Sequence, residues 1–566
     1  MRLFCFLMLC LTINGFTQES TIQPRDKLYK KRTRDAIAML VDGKTDSAIA
    51  YLENVRRAYK NEYENYIKEK HAIQQDDTNT FVSVSVDLQT YLKQHPEDAE
   101  ALFALALAYS HKGERQKAIE YVKQAIDAGL PPGRFWAGPC NLTEKLYQNE
   151  HFHTLVPLNK NKLIHGPLVS NVTSRSAEFW MRTAIEMPVQ VAIYRQGNGP
   201  DTVYSQAVTS DRDKDYTAVV RVKGLKAGTV YEYVPVIDGH IVSKPSSFRT
   251  FPPQYASGRL KVGFGGGAGY TPWNEIIWTS IASNNPNAFL LLGDNVYIDH
   301  PLYPDVQKYC YYRRQSSKAF RDFAASTPIY AIWDDHDFAD NDSWGGSNIY
   351  YPKWKPKVWD IFRQNWNNPY YGGGFERPGC WFDFRIADVD FFMLDGRYYR
   401  TNPHSKNLTM LGPDQKQWLF DRLRHSDATF KVIASPVPWA FGAKPKPHHT
   451  DTWEGFSDER EEIFTFLERE KINGVVLISA DRHRSDIWRI ERENGYDLYD
   501  FMSSRLTNVH THKKMPGSIY AYNEKNSFGM LTFDTTPTNP VVSYSIYNID
   551  NEKVYEYTLE YSQLSY

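Results

Sequence analysis

The chain has 566 residues, more than one ordinary domain holds, so about two to four compact units are expected, each with its own core. Lys and Arg total 66 against 67 for Asp and Glu, which excludes the global basic field that draws in nucleic acid or anionic lipid. Anion recognition therefore has to be local, and no nucleic acid is expected as a specific partner. The 38 Tyr, 30 Phe and 14 Trp are read as packing residues ahead of a carbohydrate platform, because no isolated carboxylate pair accompanies them.

Met1 to Thr12 carries one positive charge followed by a short apolar run, with Asn14 and Gly15 beyond it. This predicts a secretory signal peptide over residues 1–17, too short to span a bilayer stably. The mature chain is expected to be exported, periplasmic or extracellular, with no transmembrane segment. Leu9 before Cys10 is not the small residue that lipoprotein processing needs, so no lipid anchor is expected. Once Cys5 and Cys10 leave with the leader, Cys140, Cys310 and Cys380 are too few for a disulfide framework or a zinc finger.

From residue 26 to 156 apolar residues recur at helical spacing. The clearest unit runs from Ala99 to Pro132, with Leu102, Leu105, Ala106 and Tyr109 answered by Ala118, Val122 and Ala125. It resembles a tetratricopeptide repeat; Asp42 to Ala48 and Val84 to Pro96 mark weaker copies. Two roles are open for this array: a helical cap packed on its neighbour, or a dock for a protein partner. Between 163 and 252 the period changes to two, in runs such as Ala177 to Arg182, Val189 to Tyr194, Thr217 to Val222 and Val230 to Val236. Their turn-bounded spacing, with Trp180 for a core, predicts a β-sandwich resembling fibronectin type III.

From 259 to 560 strands alternate with helices. Strands are expected at Leu260 to Phe264, Ala288 to Leu292, Ile329 to Trp333, Val389 to Leu394, Phe430 to Ala434 and Val475 to Ser479. Helices are expected around Glu275 to Ala282, after Pro304, and at Pro413 to Leu423 and Asp458 to Glu470. The alternation predicts an α/β domain whose ligands gather beyond the carboxyl ends of the strands. The last 70 or so residues return to short strands, which a second sheet packed on the first would accommodate. The fold class expected is thus multidomain: a helical array, a β-sandwich, and an α/β domain of two packed mixed sheets flanked by helices.

Four strand ends carry acidic, imidazole and phenol groups: Asp294 with Tyr297, Asp334-Asp-His-Asp337 followed by Asn341, Asp395 with Arg397, and Asp481 with His483. Any one of them alone reads as a helix cap or a packed aromatic. Together they read as a site for two cations, since hard oxygen donors suit calcium, manganese or ferric iron and imidazole tolerates iron and zinc. Two cations about 3.5–4 Å apart stabilise both the attacking and the leaving oxygen of a phosphoryl transfer. His448 and His449, in a polar loop, are read as exposed or substrate-edge residues.

At these residues the chain resembles the alkaline phosphatase D (PhoD) family of metallophosphoesterases, related in motif logic to purple acid phosphatases. The stretches that carry the resemblance are Gly293-Asp-Asn-Val-Tyr297, Trp333-Asp-Asp-His-Asp337 with Asn341, Leu394-Asp-Gly-Arg-Tyr-Tyr-Arg400, Gly412-Pro-Asp-Gln-Lys-Gln-Trp418, Asp451-Thr-Trp-Glu-Gly-Phe-Ser457 and Ile478-Ser-Ala-Asp-Arg-His-Arg-Ser485. His165 to Val169 and Phe179 to Arg182 resemble the family's own N-terminal domain.

The resemblance implies an exported, metal-dependent phosphoesterase acting on phosphate monoesters or diesters through a metal-bound hydroxide. Asp294 would bridge two cations, Tyr297 and His483 would ligate ferric iron, and Asp481 would hold calcium with either Asn341 or Asp335; manganese or zinc suits the same donors. His336 would touch phosphate or protonate the leaving oxygen. For Arg397 two roles are open, phosphate contact or an ion pair with Asp395.

One position departs from the family, which has an iron-ligating Cys where this chain has Gly267 in Gly265-Gly-Gly-Ala-Gly269. Water, a backbone carbonyl or Tyr270 would have to substitute, or the Gly-rich loop would offer its N–H groups to phosphate. The lost ligand also keeps a second reading open, a phosphate- or partner-binding protein without turnover.

Overall fold

The computed structural model describes residues 28–75, 80–195, 202–445 and 451–566. The expected leader, with Cys5 and Cys10, and the loop histidines His448 and His449 lie outside these residues. Among the described residues no helix is long and apolar enough to cross a membrane, and Cys140, Cys310 and Cys380 are all free.

The N-terminal region is helical. Helix Ala99–Lys112 is its centre: Asp98 caps it by accepting the N–H groups of Glu100 and Ala101, and Gly113 closes it in the left-handed conformation. Every residue from Ala101 to Ala108 is buried, as expected of a helix surrounded on all sides. It pairs with Arg115–Asp127, and Leu28–Val41 pairs in the same way with Thr45–Lys60. The stretch expected to hold another repeat contains only the short helix Leu88–Gln94.

The helical region is docked onto the α/β domain. Glu100, paired with Arg134 at 3.0 Å, also accepts the Tyr309 hydroxyl at 3.0 Å from helix Pro304–Ser316. The short strand Thr80–Val82 reaches further and pairs antiparallel with His510–His512, Thr80 opposite His512 and Val82 opposite His510.

Next come two antiparallel sheets. Leu163–Ser170, Ser176–Thr183 and Thr217–Lys223 form one; Ser246–Arg249, Val230–Ile237 and Pro188–Arg195 lead the other. They pack face to face, with the Phe179 ring of the first 4.5 Å from Tyr233 of the second. Trp180 points to the other side of its strand, where its indole N–H donates to the Gln364 carbonyl at 2.9 Å. Arg182, also on that side, ion-pairs with Asp215 at 2.9 Å and bonds Gln315 and Asn365.

The α/β domain contains two mixed sheets. One runs in the order Ile329–Ile332, Ala288–Leu292, Arg259–Gly265, Ser527–Asp534, Val541–Asn548, Lys553–Glu560. The other runs Phe382–Ile386, Val389–Met393, Phe430–Ala434, Val475–Ser479, Leu498–Met502, Ser485–Ile490, Tyr520–Tyr522. The expected strands are present, but the C-terminal ones do not make a separate second sheet. They extend the first, because Arg259–Gly265 offers its free edge antiparallel to Ser527–Asp534. The strands from Phe382 to Met502, with Tyr520–Tyr522, make the second sheet instead. The two sheets meet through Phe430 against Phe533 at 5.3 Å and Phe501 against Tyr544 at 4.7 Å. Parallel strands of both sheets end on the same side of this sandwich, where the isolated bridge between Gly266 and Ser504 joins them.

Trp180 is 2 % exposed and ties the sandwich to the α/β domain, so Trp180→Ala should lower the unfolding free energy by about 3–5 kcal/mol. Denaturant titration of the full chain measures this; a loss of less than about 1 kcal/mol would show that the indole fills no essential space.

Candidate metal centre

Strand Ala288–Leu292 runs into Gly293, whose φ of +103° admits no side chain: a Cβ there would stand 2.5 Å from that of Asp334. The turn brings Asp294 beside the end of the neighbouring strand, itself at φ +55°, a conformation that costs a non-glycine residue about 1–3 kcal/mol and clusters at functional sites. Tyr297 donates its hydroxyl to Asp294 Oδ2 at 2.6 Å. His483 Nε2 lies 3.2 Å from the same hydroxyl and 3.6 Å from Asp294 Oδ2. Two residues expected on one ion, from strands of different sheets, are therefore adjacent across Asp294. Asn508, which the sequence did not single out, donates to the Tyr297 hydroxyl at 2.6 Å and holds His510 Nδ1 at 3.0 Å.

From the next strand, Asp335 and His336 join Asp294, with ligand atoms of all three within 4.8 Å of one another. Asp335 Oδ2 accepts the Asp342 N–H at 2.7 Å. Burial works against its charge, yet His336 and Arg397 hold Asp335 below its ordinary value. Asn341 donates its backbone N–H to Asp340 at 2.8 Å. Asp337 is consumed by the backbone, accepting N–H groups from Asn295, Val296 and Asp334. His336 Nδ1 lies 2.5 Å from Asp299 Oδ1, and its ring sits 4.3 Å from that of Tyr297.

Arg397 is fully buried, and its guanidinium does not pair with Asp395. It reaches Asp334 at 2.6 Å, Asp451 at 2.8 Å and the Ser343 carbonyl at 3.0 Å. Asp395 is occupied by the Trp333 indole at 2.7 Å and by the N–H groups of Arg397, Tyr398 and Cys380. Asp451 also takes the Lys444 ammonium at 2.7 Å, and that ammonium lies 3.6 Å from Asp481. Burial opposes the Lys444 charge, but Asp451 and Asp481 keep it protonated, above its ordinary value.

Two features fit this donor set to cations. The buried Asp481 Oδ2 accepts no hydrogen bond among the described residues, with Arg482 at 3.5 Å and Lys444 at 3.6 Å beyond bonding range, so the oxygen is open to a closer cation. Burial, with Asp294 next, holds the Tyr297 phenol well above its ordinary value, so that only a cation beside it would make it a phenolate.

Around Gly267 the expectations need correction. The Gly-rich loop does not offer N–H groups to phosphate: Gly266 donates to Ser503, Gly267 to Gly293 and Ala268 to Asp294, all main-chain carbonyls. Tyr270 is no substitute ligand either. It faces the helical region, lining a pocket with Thr33, Tyr59 and Glu100 under the Arg313 guanidinium. What stands near the position is imidazole. His483, His510 and His512 offer ligand atoms within 4.8 Å of one another, His510 and His512 alternating along one strand so that both face the same side. Burial and then Arg482 keep His512 neutral, well below its ordinary value. The sequence signal was the His-Thr-His spacing, overlooked because its strand is only three residues long.

The family model of PhoD-like phosphatases matches residues 266–527, and a domain of unknown function, DUF7800, matches 160–256. A curated relative, alkaline phosphatase D of Bacillus subtilis, is 32 % identical over 114 residues, 17 % of this chain. The match spans 20 % of that relative's length. Among solved structures, PhoD shares 17 % identity over 69 % of this chain and 91 % of its own, with a TM-score of 0.58. Purple acid phosphatase PPD1 from yellow lupin (Lupinus luteus) shares 12 % over 70 % of this chain and 75 % of its own, with a TM-score of 0.53. The α/β part of the chain thus has a PhoD-like domain, and its fold is that shared by PhoD and purple acid phosphatase.

Gly267 has φ +68°, and a Cβ there would stand 2.9 Å from Arg505 N and 3.2 Å from His483 Cδ2. Gly267→Cys should therefore lower the melting temperature as much as Gly267→Ala does, without raising iron content. A Cys variant that melts above the Ala variant and binds more iron would show that this loop still accepts a thiolate ligand.

Proposed function

We propose that the protein is a metal-dependent phosphoesterase, exported from the cell, that hydrolyses phosphate monoesters, diesters or both at the ends of the two α/β sheets. The observation that carries this reading is the meeting of Asp294, Tyr297 and His483 with Asp335 and His336, drawn from three separate strand ends into one buried cluster.

Asp294 would be shared between two cations, with Tyr297 and His483 on one and Asp481 with Asp335 on the other; Asn341 remains the alternative to Asp335. Ferric iron suits the phenol and calcium the carboxylates, with manganese or zinc as alternatives. His510 and His512 would supply nitrogen donors beside His483, where the family has a thiolate. Cations bound here polarise phosphoryl oxygens and acidify water.

The chain's own groups orient the rest. With Nδ1 on Asp299, His336 would turn its Nε2 edge to the substrate, to touch phosphate or to give a proton to the departing alkoxide. Arg397, enclosed by Asp334 and Asp451, would act by fixing the Asp334 to Asp337 turn, and phosphate contact would fall to groups nearer the opening.

Protein reconstituted with iron and calcium should hydrolyse p-nitrophenyl phosphate or bis(p-nitrophenyl) phosphate. Asp294→Ala should reduce turnover about 100-fold or more and empty the site by metal analysis. Fully metallated protein that turns over neither ester would overturn the reading in favour of phosphate binding without catalysis. Chelation should remove activity and lower the melting temperature together, because metal bound only to the folded state stabilises it. If Tyr297 ligates ferric iron, the holoprotein absorbs in the visible through tyrosinate charge transfer and Tyr297→Phe is colourless; a colourless wild type holding zinc assigns the site to imidazole and carboxylate donors. His510→Ala should then lower metal content while leaving the fold intact.

A further inference from the structure

Helix Leu28–Val41 lies on helix Pro304–Ser316, and one of its residues passes through the contact into the wall of the candidate site. Arg34 is completely buried. Its Nη1 donates to the main-chain carbonyl of Tyr297, and its Nη2 lies 2.9 Å from Asp299 Oδ2. The other oxygen of Asp299 is the one that meets His336 Nδ1 at 2.5 Å. The next helix residue, Asp35, accepts His300 Nε2 at 3.0 Å. Two consecutive residues of the N-terminal helix therefore grip the segment from Tyr297 to His300, the segment that carries the phenol on one side and the partner of His336 on the other.

That segment needs an external hold. Asp299 has φ +44°, a backbone conformation that costs about 1–3 kcal/mol and persists only when the surroundings over-determine it. It also stands in a field of like charge, with ligand atoms of Asp299, Asp340 and His336 within 4.8 Å of one another and Asp335 beside His336. A buried carboxylate stripped of a cationic partner draws in water or turns away. An imidazole held at one nitrogen by a fixed carboxylate has its ring plane and tautomer set; released, it rotates.

We propose that Arg34 is a positioning residue of the catalytic centre: it fixes Asp299, which fixes the ring of His336. The helical region is then a structural part of the active site, completing it from outside the matched phosphatase domain. A second span acts in the same sense, since Thr80–Val82 pairs with the strand that bears His510 and His512. The effect on turnover rests on the phosphoesterase reading; the Arg34 to His336 linkage does not.

The test therefore has two readouts on the full-length metallated protein, the first on protein loaded with zinc and calcium, which are diamagnetic and leave the imidazole resonances sharp. The first is proton NMR with 15N-labelled histidine, in which a short Nδ1–H bond to a carboxylate gives a downfield imidazole resonance, assigned by its loss in His336→Asn. In Arg34→Met, which keeps the apolar stem, the resonance should be lost or move upfield, and Arg34→Lys should restore it. The second is kinetic: Arg34→Met should lower kcat about 10- to 100-fold with little change in KM, and should cost almost nothing further when made on His336→Asn. A resonance unchanged in Arg34→Met overturns the linkage whether or not the protein is an esterase. Additive kinetic losses on the two backgrounds overturn the route through His336. Should Arg34→Met not fold, Asp299→Asn breaks the same link from its other end; loss of the resonance there supports the proposal, and its persistence overturns it.

Discussion

The guanidinium of Arg397 lies between Asp334 and Asp451 with no exposure to solvent, and the arrangement of the site depends on it. Strand ends from two sheets bring Asp294, Asp334, Asp335 and Asp481, and the loops beyond them bring Asp342 and Asp451, into a largely buried space. Carboxylates crowded in this way repel one another and lose hydration, and burial pushes Asp334 well up and Asp342 to about 6. Arg397 offsets part of that charge through Asp334 and Asp451, and Lys444 through Asp451 and Asp481, while Asp294 and Asp335 meet His336 in a cluster that could hold a cation. A buried cation between two carboxylates contributes little net stability against an apolar replacement. What it decides is which acids are locked into the frame, Asp334 and Asp451 among them.

The frame carries strain at the same places. Asp294, Asp299, Asp342, Asp481 and His483 all adopt left-handed backbone conformations. Each costs roughly 1–3 kcal/mol, and packing around them has to hold them there. The sandwich of sheets does so from below, through the Gly266 to Ser504 bridge and the contacts of Tyr544 with Met502 and Phe501. The N-terminal helix does so from the side, through Arg34. This accounts for a helical region so closely bound to its neighbour: helix Ala99–Lys112 has no face left over, and Glu100 within it is tied to both Arg134 and Tyr309.

Much of this was legible in the sequence where a local rule applies. A run of five buried apolar residues, Ala288–Leu292, ending in Gly-Asp is a strand that delivers a carboxylate, and the same reasoning located Asp334, Asp395 and Asp481. Misreadings arose where the outcome turned on a distant partner. The Gly265 to Gly269 loop has the composition of a phosphate cradle, but its N–H groups meet the carbonyls of Gly293, Asp294 and Ser503. Tyr270 is close to Gly267 in sequence and turns toward the helical region. Arg397 is two residues from Asp395, yet Asp395 is filled by a tryptophan and three backbone donors, and the guanidinium goes elsewhere.

The sequence by itself determined the order of the elements, the helical, sandwich and α/β character of the three regions, and which acids, phenol and imidazoles stand at strand ends. Those follow from periodicity and from turn residues, which act over a few positions. Only the tertiary structure decided that the C-terminal strands complete the first sheet, that Arg34 reaches Asp299 across 265 positions of chain, and that Thr80–Val82 braces His510 and His512. Nothing in the local pattern of an arginine on an amphipathic helix distinguishes a solvated side chain from a buried one. That distinction is made by the surface the helix packs against, and here the surface is the wall of the site.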